Sequence, residues 1–285
     1  MGNRVMDPKW DRVIEAKGPL LDLRFNEIWQ YRYLVWMFVR RDFVAAYKQT
    51  ILGPLWFIIP PLLSSITFTV IFGQVANLST DGQPQFLFYM SGVVIWGYFA
   101  AALTGNASIF GGNSGLFGKV YFPRLIVPLA NLISGLLGFG IQITIFLGFL
   151  LYYIATGSMV APNAGLVLVP LIVLIAGVMG LGSGIVISAL TTRYRDLTFL
   201  VNFGISLWMY ATPVIYPLSA VPQEYRWLLL LNPMAPVVAI FRHAFLGTEA
   251  PSLLWLAYSA GVAGVIMLLG IIIFNRIERY AMDTI

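Results

Sequence analysis

The sequence predicts an all-α integral membrane protein with six transmembrane helices. Apolar residues make up 59% of the 285 residues and charged residues only 10%, against about 25% charged in soluble proteins. A helix needs about 20 mostly apolar residues to cross a bilayer, and six stretches of this kind lack Asp, Glu, Lys, Arg and His. A buried helix in a soluble protein would explain one such stretch but not six. The predicted spans are residues 54–76, 86–104, 125–154, 164–190, 197–216 and 252–274.

Residues 1–53 are predicted to form a cytoplasmic segment that contains a helix in the membrane interface. Residues 1–32 have mixed charge and lack the apolar core of a signal peptide. Residues 33–39 are apolar but too few to span, and Arg32 precedes them while Arg40-Arg41 follows. Aromatic side chains between arginines are typical of a helix that lies in the interface.

Two of the spans, 125–154 and 164–190, are longer than a bilayer requires. They are expected to tilt, to kink near Pro128 or Pro170, or to extend past the bilayer. Small and polar residues recur at helical spacing in three spans and predict close helix packing. They are Asn131, Ser134, Gly135, Gly138 and Gln142 in the third span, Gly180, Gly184 and Ser188 in the fourth, and Ala257, Ala260, Gly261 and Gly264 in the sixth.

The distribution of positive charge predicts the orientation. Nine of the 17 Lys and Arg residues lie in residues 1–53, and the first and third connecting loops contain none. Only Arg226 and Arg242 fall on the side opposite to the N-terminus. Because cytoplasmic loops carry an excess of Lys and Arg, both the N-terminal segment and the tail at 275–285 are predicted to be cytoplasmic. The net charge of +5 therefore reflects topology and membrane lipid, and no nucleic-acid partner is expected.

The loop between the fifth and sixth spans, residues 217–251, is predicted to contain short re-entrant helices near the outer mouth of a pathway. Short apolar runs in it are separated by prolines. Such segments are tolerated at membrane depth only where protein or a wet cavity covers them. An ordinary external loop is the alternative. The prolines are Pro217, Pro222, Pro233, Pro236 and Pro251.

The sequence lacks the residues needed to power transport. No G-x-x-x-x-G-K-[ST] phosphate loop is present, and no charged residue in a predicted span offers a proton relay. The chain has no cysteine, and its single histidine, His243, is expected to be structural. We therefore expect no enzyme, no cofactor and no metal site in this chain. Three function classes remain: a passive channel, a scramblase, or a membrane subunit driven by a separate motor.

Five sequence blocks resemble, in order, those of ABC transporter type-2 permeases that export polysaccharides. Together they extend from about residue 30 to 250. The blocks are Tyr47-Lys48-Gln49-Thr50 with Leu52-Gly53-Pro54-Leu55-Trp56; Lys119-Val120-Tyr121-Phe122-Pro123-Arg124 with Pro128-Leu129-Ala130; Arg193-Tyr194-Arg195-Asp196-Leu197; Trp208-Met209-Tyr210-Ala211-Thr212-Pro213-Val214-Ile215-Tyr216-Pro217; and Leu231-Asn232-Pro233-Met234 followed by Phe241-Arg242.

The resemblance implies a dimer of this chain that works with two copies of a cytoplasmic ATPase, which would bind ATP and Mg²⁺. The cargo would be a lipid-linked polysaccharide, with O-antigen favoured, moved across a bacterial inner membrane. It also implies a cytoplasmic entrance, an ATPase-coupling segment and an external gate. The residues implied are Tyr47, Lys48, Gln49, Leu52 and Gly53 for the entrance, Lys119, Tyr121, Pro123 and Arg124 for coupling, and Tyr216, Pro217, Tyr225, Arg226 and Trp227 for the gate.

Two helical stripes that combine aromatic rings with small polar groups are predicted to line the pathway. Rings suit the C–H faces of sugars, while hydroxyls and amides suit sugar hydroxyls; packing between helices is the alternative. The stripes are Phe57, Pro61, Ser64, Phe68 and Phe72 in span one, and Phe199, Asn202, Phe203, Ser206, Tyr210 and Pro213 in span five.

Other interpretations stay open from the sequence alone. Lys48 could bind a lipid pyrophosphate or merely extend toward lipid headgroups, and residues 119–124 could serve only as a positively charged topology signal. The cargo of the same permease class could be a drug or a lipid. An intramembrane glycan-lipid transferase would need paired carboxylates, and the candidates Asp42, Asp196 and Glu278 form no evident pair.

Overall fold

The computed structural model describes residues 25–48, 50–112, 122–193 and 196–282, and its regular secondary structure in these ranges is entirely helical. Within these ranges, five helices are long and apolar enough to cross a membrane, or six if one sharply bent pair counts as a span. The predicted all-α membrane fold is therefore confirmed. Most of the predicted N-terminal segment, residues 1–24, lies outside the described ranges.

The chain enters the fold through α1 (Phe25–Gln30) and α2 (Arg32–Tyr47). One face of α2 is buried, and its Val35, Phe38 and Val39 belong to an apolar cluster with the start of the third span. The opposite face exposes Tyr33 and Trp36. A helix was expected here, and its 16 residues make it more than twice as long as the apolar stretch 33–39.

The first predicted span is one continuous helical segment of changing pitch. A 3-10 turn (Gly53–Phe57) leads into α3 (Ile59–Phe68), and seven π-helical residues (Thr69–Val75) complete it. The turn begins at Gly53, whose φ of 52° is a left-handed conformation that residues with a Cβ rarely adopt. Glycine therefore allows the sharp change of direction between α2 and the span.

The next three long helices match their predicted spans closely. They are α4 (Gln85–Ala107), followed by the short α5 (Ile109–Gly112), then α6 (Ile126–Ala155), and α7 (Val169–Arg193) after a 3-10 turn (Ala164–Leu168). Pro128 and Pro170 lie in the first turns of α6 and α7. There a missing N–H breaks no helical hydrogen bond, so neither proline interrupts its long helix.

Helix α4 is the centre of the bundle, and glycines bring α7 against it. A Cβ added at Gly180 would lie 2.7 Å from the carbonyl oxygen of Phe99, and one at Gly184 would lie 2.5 Å from that of Leu103. Ser188 is buried, and its Oγ accepts a 3.3 Å hydrogen bond from the Phe110 N–H. The predicted packing role of this stripe is confirmed.

The polar stripe of the third span also packs inside the chain. Asn131 Nδ2 donates to the carbonyl oxygen of Gly105 at 2.8 Å, and Gln142 Nε2 donates to that of Phe57 at 3.3 Å. These bonds connect α6 to α4 and to the start of the first span. The packing prediction holds here as well.

For the sixth span, α11 (Leu253–Met282), the predicted packing is confirmed for Ala260, which is partly buried against the core, but it is wrong for Gly261 and Gly264 within the single chain. Nothing lies within 4 Å of a Cβ built at Gly261 or Gly264. The close approach of α11 to α7 lies between one and two turns beyond Gly264. There a Cβ at Gly270 would lie 3.2 Å from the carbonyl oxygen of Gly182, and one at Gly182 would lie 2.9 Å from the Met267 nitrogen.

We expect Gly184→Ala to lower the stability of the bundle. Its Cβ would meet the backbone of α4, which cannot move as a flexible side chain would, and overpacking of this kind costs about 1–3 kcal/mol. The thermal midpoint of the purified protein in detergent measures the effect. Gly264→Ala is the matched control, since its Cβ enters open space. Equal midpoints for the two variants would contradict the expectation.

The fifth predicted span is shorter than expected. Helix α8 runs over Leu197–Tyr210, only about 21 Å at 1.5 Å per residue, and the chain then turns. The predicted end at residue 216 is wrong because Pro213 lacks an N–H and disfavours helical backbone at Thr212. Residues 211–217 continue as an irregular but largely buried segment.

The predicted re-entrant region forms two short helices rather than an ordinary loop. They are α9 (Arg226–Leu230) and α10 (Met234–Leu246), and the segment 223–230 is bent by 108° from α10. Nearly all of α10 is buried. Residues 77–84, 157–168 and 211–252 share this end of the molecule, which we call the Pro-rich end. The opposite end, with residues 50–57, 122–131, 190–193 and 196–199, is called the basic end.

Candidate functional site

Helix α8 presents an open face of aromatic and polar side chains. Phe199 is 81% exposed, Phe203 62% and Tyr210 52%, and Asn202 and Ser206 are exposed between them. The Ser206 hydroxyl donates to the carbonyl oxygen of Asn202 at 3.0 Å, so its hydrogen is satisfied within the helix. Five of the six residues predicted from this span therefore share one uncovered face, whereas the sixth, Pro213, is buried beyond the end of α8.

The stripe predicted from the first span is placed differently. Phe68 and Tyr89 of α4 form an edge-to-face pair with ring centroids 6.3 Å apart, and Phe68 forms another with Phe72. Phe57 stacks on Phe43 of α2 at 5.3 Å, and Ser64 is partly buried. Within one chain this stripe makes the helix contacts that the packing alternative expects, and a pathway role for it remains a prediction.

The predicted entrance residues lie where α2 ends and the first span begins. Lys48 and Leu52 are exposed, and the Gly53 N–H donates to Thr50 Oγ1 at 3.1 Å in the turn. Tyr47 is the last residue of α2, but its side chain lies outside the described part of the chain, as does all of Gln49.

Of the predicted coupling residues, Lys119 and Tyr121 lie outside the described ranges. Pro123 is buried and Arg124 half-buried just before α6. Their neighbour Phe122 is buried against Phe38 of α2, with ring centroids 5.9 Å apart. The end of this segment and α2 therefore form one packed unit at the basic end.

The predicted gate residues lie in the first part of the bent pair or shortly before it. Arg226 Nη1 is 2.6 Å from Glu249 Oε1, and its Nε donates to the carbonyl oxygen of Val221 at 3.0 Å. Pro217 is buried and Tyr216 half-buried, whereas Tyr225 and Trp227 are more than half exposed. Arg226 thus fixes the short turns of residues 218–225 against the loop that precedes α11.

The most constrained polar group of the Pro-rich end is Arg242, on α10. Its side chain is 2% exposed, and its guanidinium lies over the Phe88 ring at 3.8 Å from the centroid. Nη1 donates to the carbonyl oxygen of Pro213 at 2.9 Å and Nη2 to that of Val214 at 2.7 Å. Nε donates to Ser91 Oγ at 3.3 Å. The partners are neutral, and two of them are carbonyls that the break after α8 leaves without helical partners.

Asn232, between α9 and α10, holds the same broken segment from the other side. Its Nδ2 donates to the carbonyl oxygen of Ala211 at 3.1 Å and to Thr212 Oγ1 at 2.8 Å. Its Oδ1 accepts from Trp208 Nε1 at 2.9 Å and from the Met234 N–H at 3.1 Å. We call Arg242 and Asn232 together the clamp.

A glycine of α4 makes room for the clamp. A Cβ at Gly92 would lie 2.7 Å from Arg242 Nη2 and 2.9 Å from the carbonyl oxygen of Val214. Sequence reasoning counted Arg242 as an external charge and placed it with Asn232 in one family-like block, but it missed this arrangement. The available signal was an arginine inside the apolar run 234–246, together with an asparagine directly before Pro233.

His243 follows the clamp on α10. Its Nδ1 lies 2.5 Å from the carbonyl oxygen of Thr248, so Nδ1 carries the hydrogen, because a carbonyl only accepts. Its own carbonyl accepts from Asn163 Nδ2 at 2.8 Å. These bonds agree with the predicted structural role. Within the described ranges, no three His, Asp or Glu side chains are placed to hold a metal ion.

These features define a multi-pass helical membrane protein with a polar-aromatic open face and a bent helical pair at one end. Residues 33–246 match the family model described as ABC-2 type transporter, so the chain belongs to that family and is the membrane subunit of an ABC transporter.

Curated relatives cover almost the whole chain. An O-antigen export system permease protein RfbA of Myxococcus xanthus is 30% identical over 90% of this chain and 97% of its own length. A protein of the same name from Klebsiella pneumoniae is 28% identical over 92% and 98%. The inner membrane transport permease YadH of Escherichia coli K12 is 22% identical over 75% and 82%.

Proposed function

We propose that this chain is the membrane-spanning subunit of an ATP-driven exporter that moves lipid-linked polysaccharide, with O-antigen favoured, across the bacterial inner membrane. The structural observation that carries the proposal is the open face of α8, where rings alternate with an amide and hydroxyls. The names of the RfbA relatives, which match nearly end to end, support the choice of cargo.

The assembly we propose contains two copies of this chain and two copies of a cytoplasmic ABC ATPase, which bind ATP and Mg²⁺. The chain itself then hydrolyses nothing. The basic end faces the cytoplasm, because the topology predicted from the sequence puts only Arg226 and Arg242, of 17 Lys and Arg residues, on the other side. Residues 1–53 and 275–285 are cytoplasmic in this orientation, and residues 54–274 form the transmembrane domain.

The proposed path runs along α8 from the basic end to the Pro-rich end. Lys48 supplies positive charge for the lipid pyrophosphate at the cytoplasmic entrance, near the turn at Gly53. The α2–Phe122 unit, with Pro123 and Arg124, transmits ATPase movement. The bent pair with Tyr225 and Trp227 forms the outer gate.

A clean deletion tests the proposal. Surface polysaccharide should disappear, and lipid-linked glycan should accumulate in the cytoplasmic leaflet, where its composition identifies the cargo. Loss from the surface without trapped glycan would indicate a role in synthesis instead. No change in either pool would exclude glycan export and favour a drug or lipid as cargo.

We expect Tyr210→Ala to reduce export severalfold to about tenfold without reducing the amount of assembled protein. Loss of one ring contact of about 0.5–1.5 kcal/mol along the path accounts for this size of effect. Phe68→Ala tests the first-span stripe in the same assay. Tyr152→Ala is the matched control, because Tyr152 is 62% exposed on another helix. Normal export by both Tyr210→Ala and Phe68→Ala would remove the stripes from the path.

A further inference from the structure

Among the residues that the structure describes, the contacts that hold helix α8 are concentrated near its Pro-rich end. In its first half, Phe199, Leu200 and Phe203 are each more than 60% exposed, and nothing lies within 4 Å of a Cβ built at Gly204. Val201, Trp208 and Met209 are partly buried against the core, Ile205 is 9% exposed, and residues 212–215 beyond the helix are buried. Anchoring within the chain is therefore concentrated at the Pro-rich end.

The anchor joins α8 to the most buried part of the molecule. Trp208 makes edge-to-face contacts with Trp96 and Phe99 of α4, with centroids 6.1 and 5.1 Å apart. The clamp then fixes the carbonyls of residues 211, 213 and 214 to α10 and to the turn before it. Helix α10 is itself fixed to α4 by Arg242 on Phe88 and Ser91.

We propose that Arg242 and Asn232 are positioning residues that make the Pro-rich end of α8 a fixed pivot, about which its basic end swings during the ATP cycle. This inference rests on the proposed ATP-driven function but not on the identity of the cargo. When the helix swings, the space beside α8 widens at the cytoplasmic entrance, while the space beside it at the outer gate stays constant.

The geometry sets the size of the movement. The 14 residues of α8 form a lever of about 21 Å, so a tilt of about 10° moves its basic end by about 3.6 Å and its pivot end hardly at all. The opposite arrangement, in which α8 moves as a rigid body with the gate, would displace both ends equally. One distance to each end of α8 therefore distinguishes the pivot from rigid-body movement.

The absence of native cysteine makes the measurement direct. One spin label is placed at Val167, which is 82% exposed in the segment that Asn163 bonds to α10. The second is placed at Leu200 or at Leu207, two turns apart on the exposed side of α8. Distances are measured by electron–electron double resonance in the complex with its ATPase in lipid nanodiscs, without nucleotide and with Mg-ATP and vanadate. No cargo is added, so the result is independent of the glycan assay.

We expect the Val167–Leu200 distance to shift by about 2–3 Å on trapping, because Leu200 lies about 15 Å from the pivot, and the Val167–Leu207 distance to stay within its distribution width. In an Asn232→Ala background, the Val167–Leu207 distribution should broaden and shift as well. An equal shift of both pairs in the otherwise unsubstituted chain would overturn the pivot, and so would a shift of neither. If Asn232→Ala assembles and leaves the Val167–Leu207 pair unchanged, the clamp is not the pivot.

Discussion

Arg242→Met is expected to reduce the yield of folded, monodisperse protein severely and to abolish export with it. The substitution leaves the carbonyl oxygens of Pro213 and Val214, and the Ser91 hydroxyl, without their donor. Each orphaned buried group costs about 1–3 kcal/mol, and the contact with Phe88 is lost too. Removing the guanidinium also removes the cost of burying its charge. This gain offsets only part of the loss, because the backbone carbonyls stay buried without donors. Detergent-solubilised yield and thermal midpoint measure the outcome.

Two comparison variants separate geometry from charge. Arg242→Lys keeps the charge, but one ammonium cannot reach three acceptors in the fork geometry of a guanidinium, so we expect an intermediate loss. Arg40→Met removes an exposed arginine of α2 and should leave the midpoint unchanged. A stable Arg242→Met protein with the midpoint of Arg40→Met would show that the clamp contributes nothing to stability.

Most of the helical framework was predictable, because it depends on one strong physical constraint. A charge in the hydrocarbon core is costly, so uncharged stretches about as long as a bilayer is thick identify spans without knowledge of their partners. The α7 glycines were predictable for a similar reason. Gly180 and Gly184 recur every four residues, and only a residue without a side chain permits backbone contact of this closeness.

The end of the fifth span was not predictable by the same reasoning. Residues 211–216 are uncharged and read as a continuation of the helix, although Thr212-Pro213 already disfavoured helical backbone. The break is tolerated because Asn232 and Arg242 supply donors to the carbonyls that it exposes. These donors lie about 20 to 30 positions further along the chain, so only the tertiary fold brings them together.

The two stripes illustrate the limit of periodicity for the candidate site. Both have the same spacing, yet Phe68 packs against Tyr89 while Phe203 remains open. A helical repeat identifies residues that share a face but not what that face contacts. What a face contacts depends on which helices the loops place next to it. Next to the first span these helices are α4 and α6.

The second large effect is expected for Asn232→Ala, which should lower the thermal midpoint markedly and broaden the unfolding transition. Asn232 bonds Trp208, Ala211 and Thr212 at once, and its Oδ1 also accepts from the Met234 N–H at the start of α10. With about 1 kcal/mol net for each satisfied bond and more for orphaned groups, a loss of about 3 kcal/mol is expected. Asn202→Ala, an exposed asparagine on α8, is the matched stability control.

A double-mutant cycle decides whether the clamp acts as one unit. Asn232 and Arg242 hold carbonyls only two and three residues apart in one irregular segment, and neither touches the other's acceptor. If each side chain binds its own carbonyls independently, the two losses in the free energy of unfolding add within about 0.5 kcal/mol. If the segment is held only while both donors are in place, the first substitution already frees it, and the second adds little. We expect this second result, with Arg242→Lys as the milder partner so that the double variant still folds; additive losses would mean that two separate contacts, not one clamp, hold the end of α8.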